Sequence, residues 1–163
     1  MILGMSTQVF TLLHVIISLA GIASGLIAIF ALAANKISAL TGFFLSTTAL
    51  TSITGFLFPF HGVTPAIILG ILSMIVLLLA AIALYVGKLK GGWRGVYIVS
   101  ATLALWFNVF VLFAQLFAKV PALKAIAPTQ SSPIFGATQL AILAAFIVLA
   151  IRSLKGFRGA SLT

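Results

Sequence analysis

Five long hydrophobic runs constrain the fold of this chain more than any other feature. They cover residues 9–34, 39–58, 64–86, 95–118 and 134–151. Each run is close to the ~20 residues of α-helix that cross ~30 Å of hydrocarbon. None alternates polar and apolar side chains over ~10-residue segments, as the strands of a membrane barrel do. The pattern therefore predicts an all-α integral membrane protein, a helical bundle with five transmembrane helices.

The composition supports the same fold class. Hydrophobic residues make up 63% of the 163 residues, and charged residues only 6%. A soluble domain usually carries about 25% charged residues, because it must present a polar surface to water. This chain can solvate its surface only in lipid. Its length favours a single transmembrane helical domain over residues 1–163, without a separate soluble domain.

The basic residues predict an orientation. The chain has nine Lys and Arg and no Asp or Glu. With five spans, two of the nine, Lys119 and Lys124, fall on one side of the membrane. The other seven fall on the opposite side: Lys36, Lys88, Lys90, Arg94, Arg152, Lys155 and Arg158. The positive-inside rule then places the N-terminus outside and the C-terminus in the cytoplasm.

The same positions indicate what the charges contact. They lie at the ends of hydrophobic runs and form no basic stripe with interleaved aromatics, so we expect no nucleic-acid partner. We expect anionic lipid headgroups near the cytoplasmic set Lys88, Lys90, Arg94, Arg152, Lys155 and Arg158. Tyr85, Trp93 and Tyr97 flank one loop of this set, and we expect them in the interfacial aromatic belt.

Several classes of function are disfavoured by missing residue types. Without Asp and Glu the chain has no carboxylate site for Mg²⁺ or Ca²⁺, and no Ser-His-Asp arrangement. Without Cys it has no disulfide and no thiolate chemistry. The sequence therefore predicts a protein that is not an enzyme, with no catalytic residue and no metal site.

The rare polar side chains are the candidate functional residues, because polar groups inside a membrane are costly and often functional. Five fall in the outer half or middle of the predicted bundle: His14, His61, Asn108, Gln115 and Gln139. One interpretation is structural, since amides and imidazoles commonly bridge membrane helices. The other is a ligand pocket for a quinone, a lipid or a haem. No cofactor is expected under the first interpretation.

A stripe of small residues on the first predicted helix is a packing signal. It consists of Ser18, Gly21, Gly25 and Ala28. Small residues at this spacing let another helix approach closely, but they do not specify which one. The stripe serves either packing inside the bundle or a seam with a second copy or a larger membrane complex.

Two segments carry a resemblance. TGFLFPFHGVTPA (54–66) and NVFVLFAQLFAKVPALKAIAPTQSSPIF (108–135) resemble a group of small, uncharacterised bacterial inner-membrane proteins. The resemblance implies a multi-pass protein of the bacterial inner membrane, and it brings no catalytic residue with it. Both segments include an outer loop of the predicted topology. The longer loop, around residues 119–133, is rich in proline, and we expect it to fold back over the outer end as a cap.

Together these observations lead to two hypotheses of function. The first is a structural or accessory subunit that docks on a larger membrane complex, favoured by the small size and the lack of catalytic groups. The second is a membrane protein that binds a quinone, lipid or haem at the outer polar cluster.

Overall fold

The structure is a computed structural model that describes residues 1–59, 62 and 65–158. Over these residues the chain forms α1 (Thr7–Ala33), α2 (Thr41–Phe56), α3 (Pro65–Ala81), α4 (Trp93–Lys119), α5 (Pro121–Ile126) and α6 (Pro133–Gly156). A π-helical turn, Ile82–Val86, continues α3. No β-strand occurs in the described part of the chain, so the predicted all-α class is confirmed there.

Four of these helices are long and apolar enough to cross a membrane: α1, α3 with its π-helical turn, α4 and α6. They indicate a multi-pass membrane protein. The predicted count of five is not confirmed, because the 16 residues of α2 extend only about 24 Å. Pro59 helps to end α2 early, since a proline disfavours helical backbone at the residue before it. At the other end, Ser38 Oγ accepts a hydrogen bond from Leu40 N and forms a turn there.

Other helix boundaries also differ from the predicted ones. Helix α1 starts two residues earlier than predicted, because Ser6 Oγ caps it by accepting from Val9 N at 3.3 Å. Helix α6 continues to Gly156 rather than to residue 151, and α4 starts at Trp93 rather than at 95. Pro133 begins α6 one residue before the predicted run, at a position where its missing N–H costs nothing. Thr64, the residue before α3, lies outside the described residues.

The helices alternate in direction. Helix α1 packs antiparallel to α2, with Gly25 near Phe44 and His14 near Thr54. Helix α4 contacts α1, α2, α3 and α6, so it occupies the centre of the bundle. We call the end where α1, α3 and α6 begin the cavity end, and the opposite end the basic end.

The basic end is closed by contacts between the C-terminal ends of α1 and α6. Gly156 lies so close to Ala33 that a Cβ atom would collide with the carbonyl of Ala33. Arg158 N donates to Asn35 Oδ1 at 2.9 Å, and Phe157 is fully buried. Only glycine at position 156 permits this approach of the two backbones.

The aromatic residues near this end differ from the prediction. Tyr85 and Trp93 are 63% and 42% exposed, as a membrane-interface belt requires. Tyr97, in contrast, is fully buried and belongs to the main hydrophobic core with Ile98 and Leu105. Tyr97 lies one turn deeper along α4 than Trp93, where neighbouring helices cover that face, so the prediction of an interfacial Tyr97 is wrong.

The loop between α4 and α6 packs against those two helices. It contains α5, of which no residue is buried, and it is held by a small apolar cluster of Phe117, Phe135 and Ala127. Leu123 of α5 packs against this cluster. The loop therefore covers the side of the bundle formed by α4 and α6, away from the cavity described below.

Candidate functional site

A partly open cavity of about 680 Å³ lies at the cavity end, between α1, α2, α3 and α4. This volume is within the range of sites for small ligands, about 300–1,000 Å³. Its lining on α1 extends from Thr7 to Ile22, a rise of about 22 Å along the helix. The cavity is therefore long and narrow, and it follows the direction of the helices.

One wall of the cavity is a polar stripe on α1. Thr7, Thr11, His14 and Ser18 all line it. They are spaced by four, three and four residues, which places them on one face of a helix. A second polar stripe lies on α4, formed by Asn108, Gln115 and Lys119 at spacings of seven and four. Two polar helix faces thus border the cavity.

His14 is held in a defined orientation. Its Nδ1 lies 2.7 Å from Thr54 Oγ1, and its ring packs edge-on against Phe58 at 5.3 Å. Thr54 Oγ1 donates its own proton to backbone carbonyls of α2, at 2.7 Å to Leu50 O and 3.2 Å to Thr51 O. While Thr54 keeps this donation it accepts from His14, and this favours the neutral tautomer with the proton on Nδ1. Nε2 is left as an acceptor without a hydrogen-bond partner among the described residues.

Three of the six serine and threonine hydroxyls of the lining donate to their own helices. Thr11 Oγ1 donates to Thr7 O at 2.7 Å, Ser18 Oγ to His14 O at 2.7 Å, and Thr51 Oγ1 to Thr47 O at 2.9 Å. Such bonds satisfy the donor and leave lone pairs on the oxygen. The walls near His14 are therefore rich in acceptors.

Ser73 of α3 is the most buried of the three lining hydroxyls that make no hydrogen bond with the described residues. It lines the cavity, is 2% exposed, and its Oγ has no hydrogen-bond partner among the described residues. A buried hydroxyl without a partner is costly, by about 1–3 kcal/mol in proteins. Its Oγ is covered in this conformation, so a change of the Ser73 rotamer is needed before it can donate to a molecule in the cavity.

The amides of α4 divide into one that is bonded and one that is free. Asn108 Nδ2 donates to the buried Thr48 Oγ1 at a long 3.4 Å, so this bond is weak. Gln115 is exposed and makes no hydrogen bond with the described residues. Lys119 is also exposed and lines the mouth. The α4 wall thus offers two amides and a cation to the cavity.

Two of the predicted candidates are not part of this site as described. Gln139 is buried at the interface between α6 and α4, where its Nε2 donates to Phe110 O at 3.1 Å. It does not line the cavity, whose lining residues belong to α1, α2, α3, α4 and the turn after α2. His61 lies outside the described residues. The structure therefore brings together three of the five predicted polar residues, His14, Asn108 and Gln115.

The small-residue stripe of α1 is used inside the bundle. Gly21, Gly25 and Ala28 are buried, and a Cβ at Gly25 would lie 2.7 Å from Leu105 Cδ1 and from the Phe44 ring. Ser18, the member of the stripe nearest the cavity end, lines the cavity instead. The stripe thus allows α1 to pack closely on α2 and α4.

The predicted headgroup-binding residues all lie at the basic end. Arg94 is partly exposed. The other five side chains are exposed: Lys88, Lys90, Arg152, Lys155 and Arg158. Since the chain contains no Asp or Glu, no side-chain ion pair neutralises them. The site at the cavity end is separated from this charge by the length of the bundle.

Sequence reasoning missed Ser73 and the α1 polar stripe as parts of the site. The spacing of Thr7, Thr11, His14 and Ser18 was a usable signal, because four polar residues on one face of an otherwise apolar helix indicate a polar interior surface. Ser73 gave no such signal, since it is an isolated serine in the most hydrophobic run.

Comparison with known proteins provides no further assignment: no family model, no curated protein and no solved structure matches this chain. The resemblance to small bacterial inner-membrane proteins therefore stays a prediction. Among the described residues there is also no group of three or more His, Cys, Asp or Glu side chains that could hold a metal ion.

Proposed function

We propose that this chain is a five-span membrane protein that binds a lipid-soluble small molecule in the cavity between α1 and α4. The observation that carries the proposal is the cavity itself, about 680 Å³ in volume and bordered by two polar helix faces. Packing within a membrane complex does not require His14, Ser73 and Lys119 to line a common cavity. Polar groups inside a membrane normally face an interior cavity or a partner.

The lining supports an amphipathic ligand rather than an ion. Apolar side chains such as Leu19, Ile22 and Leu112 alternate with the polar ones along the cavity. They can contact a hydrocarbon chain, while His14 and the amides contact a polar headgroup. This is the usual composition of a small-molecule site, in which a few polar groups orient a ligand within a mostly apolar surface.

The orientation and location belong to the same proposal. We place the N-terminus outside and the C-terminus in the cytoplasm of a bacterial inner membrane, with the cavity opening near the outer face. The seven basic residues of the basic end support this orientation through the positive-inside rule. They also favour contact with anionic lipids on the cytoplasmic side.

The accessory-subunit hypothesis has less support. One sequence feature compatible with it was the small-residue stripe, but Gly21 and Gly25 make their contacts within the bundle. The small size of the chain and the absence of acidic and thiol groups still support this hypothesis. It predicts a larger protein complex after gentle extraction, which the experiment below detects.

The experiment is purification in mild detergent followed by mass spectrometry of co-purifying molecules, with two variants in parallel. Ser18→Phe places a ring in the cavity, and Ile16→Phe places the same ring on α1 at a position that is 56% exposed and does not line the cavity. We expect a small molecule in near-stoichiometric amount with the wild type and Ile16→Phe, and its loss from Ser18→Phe. A co-purifying protein complex with no small molecule in any of the three samples would favour the accessory subunit instead.

A further inference from the structure

The tautomer of His14 indicates which hydrogen-bonding group the headgroup of the ligand carries. We propose that the cavity selects a neutral lipid-soluble molecule whose headgroup donates a hydroxyl hydrogen bond to His14 Nε2. This inference rests on the proposed ligand-binding function and specifies its chemistry. It starts from the bond between His14 Nδ1 and Thr54 Oγ1, 2.7 Å long, which leaves Nε2 as the acceptor.

Thr54 determines the tautomer because its hydroxyl proton is already used. The bond to Leu50 O, 2.7 Å long, and the longer one to Thr51 O direct that proton into α2. Reversing the His14 bond would require Thr54 to abandon both carbonyls, so the arrangement with Nδ1–H is preferred. An imidazole held this way presents a lone pair to whatever contacts Nε2.

The charge and the lone pair in the lining disfavour two other ligand classes at the position of His14. A cationic headgroup would meet Lys119 in the lining with no acidic residue to balance it, since the chain contains none. An anionic headgroup would be drawn to Lys119 at the mouth, but its oxygen lone pairs would face the lone pair of Nε2 deeper in the cavity. A neutral O–H group avoids both conflicts.

The rest of the lining complements a hydroxyl headgroup. A hydroxyl that donates to Nε2 still has lone pairs that need a donor. The side-chain amide of Gln115, exposed in the lining, can supply one. Binding of such a ligand would give His14 Nε2 a hydrogen-bond partner, which apolar packing alone cannot do.

Two kinds of lipid carry this headgroup chemistry. One is an aliphatic alcohol or glyceride, with the hydroxyl at the end of a chain. The other is a hydroquinone, with the hydroxyl on an aromatic ring. Phe56, Phe58 and Phe107 in the lining could pack against such a ring. Both share the O–H donor, and the experiment separates them.

The experiment is a titration of the protein, labelled with ¹⁵N in histidine and reconstituted in lipid nanodiscs. The chain has two histidines, so a His61→Gln sample assigns the His14 signals. Without ligand, we expect the spectrum of a neutral ring with the proton on Nδ1. The probes form two matched pairs, dodecanol with dodecyl methyl ether, and duroquinol with duroquinone. Within each pair only the first member donates an O–H.

We expect the hydroxyl member of at least one pair to shift the His14 Nε2 signal and to bind about tenfold more tightly than its partner, as for one buried hydrogen bond. The pair with the larger preference identifies the aliphatic or the aromatic headgroup. In His14→Asn the side-chain amide can still donate to Thr54 but offers no acceptor at the Nε2 position, so we expect the preference to disappear. Gln139→Leu, a polar residue removed outside the cavity, is the control and should keep it.

Three results would overturn the inference. These are a proton on Nε2 in the free protein, equal binding of both members of each pair, and a hydroxyl preference that persists in His14→Asn. In each case the proposed function survives if Ser18→Phe still expels a co-purifying molecule. Only an empty cavity in the wild type, with no probe bound, removes both proposals.

Discussion

At the scale of single residues, Gly25 shows how little space separates the helices. A Cβ there would lie 2.7 Å from Leu105 Cδ1 and from the Phe44 ring, so Gly25→Ala must displace one of them. We expect a loss of about 1–3 kcal/mol in the free energy of unfolding, typical of overpacking in a close-packed core. The measurement is unfolding in mixed micelles with increasing SDS, followed by circular dichroism.

Gly136 is the matched control, because it is also helical and no atom lies within 4 Å of the position that a Cβ would take there. We expect Gly136→Ala to be neutral or to stabilise the protein by up to about 0.5 kcal/mol, since alanine has the higher helix propensity. Equal destabilisation by the two substitutions would mean that α1 does not pack on α2 and α4 as described.

Gln139 provides a second residue-scale prediction, on the difference between a structural amide and a site residue. Its Nε2 donates to Phe110 O, but its buried Oε1 has no partner among the described residues. Gln139→Leu loses one interhelical bond of about 0.6 kcal/mol and removes an unsatisfied oxygen at the same time. We therefore expect a change in unfolding free energy within about 0.5 kcal/mol, in the same SDS titration, and unchanged ligand content. Loss of the co-purifying molecule in this variant would place Gln139 in the site after all.

At the scale of elements, α5 should be the least stable helix of the described chain. It has six residues and none of them is buried, whereas an isolated helix of this length is unstable in water. Only Leu123 connects it to the cluster around Phe117 and Phe135. We expect hydrogen exchange, measured by mass spectrometry in nanodiscs, to be much faster in 121–126 than in α4. Protection of α5 equal to that of α4 would show that another surface covers it.

The elements also show what the sequence could predict. The positions of the four long spans follow from hydrophobic length alone, because lipid requires ~20 apolar residues per helix whatever the tertiary contacts. The shortness of α2 was not predicted, since Leu57 and Phe58 are apolar but precede Pro59. The π-helical turn Ile82–Val86 lies within a uniformly hydrophobic run and leaves no pattern in the sequence.

The site was predictable in part for a related reason. Polar residues in hydrophobic runs are conspicuous, so His14, Asn108 and Gln115 could be selected from the sequence. Whether two of them share a cavity depends on which face of each helix turns inward. Gln139 and Gln115 look alike in sequence, yet one contacts the α4 backbone while the other lines the cavity. Only the packing of α6 on α4 distinguishes them.

At the scale of the whole molecule, the alternating direction of the helices determines whether α2 must cross the membrane, and so which end of each helix lies on which side. The packing of α1 against α2 places Asn35 at the basic end and Pro65 at the cavity end, which requires α2 to cross the membrane if α1 and α3 do. About 24 Å of helix can achieve this where flanking turns and local thinning of the bilayer compensate, at a modest cost per ångström of mismatch. The five-span proposal is thus compatible with the short α2.

The chain contains no cysteine, so single cysteines can report this topology directly. In right-side-out vesicles we expect a membrane-impermeant maleimide to label Gln8→Cys and Gln130→Cys, two exposed positions at the cavity end. Lys36→Cys and Lys90→Cys, exposed at the basic end, should react only after the vesicles are opened. The seven cations of that end are the physical reason, since translocating them outward is unfavourable. Labelling of Lys36→Cys and Gln130→Cys from the same side would show that α2 does not span, and the opposite pattern throughout would invert the orientation and turn the cavity toward the cytoplasm.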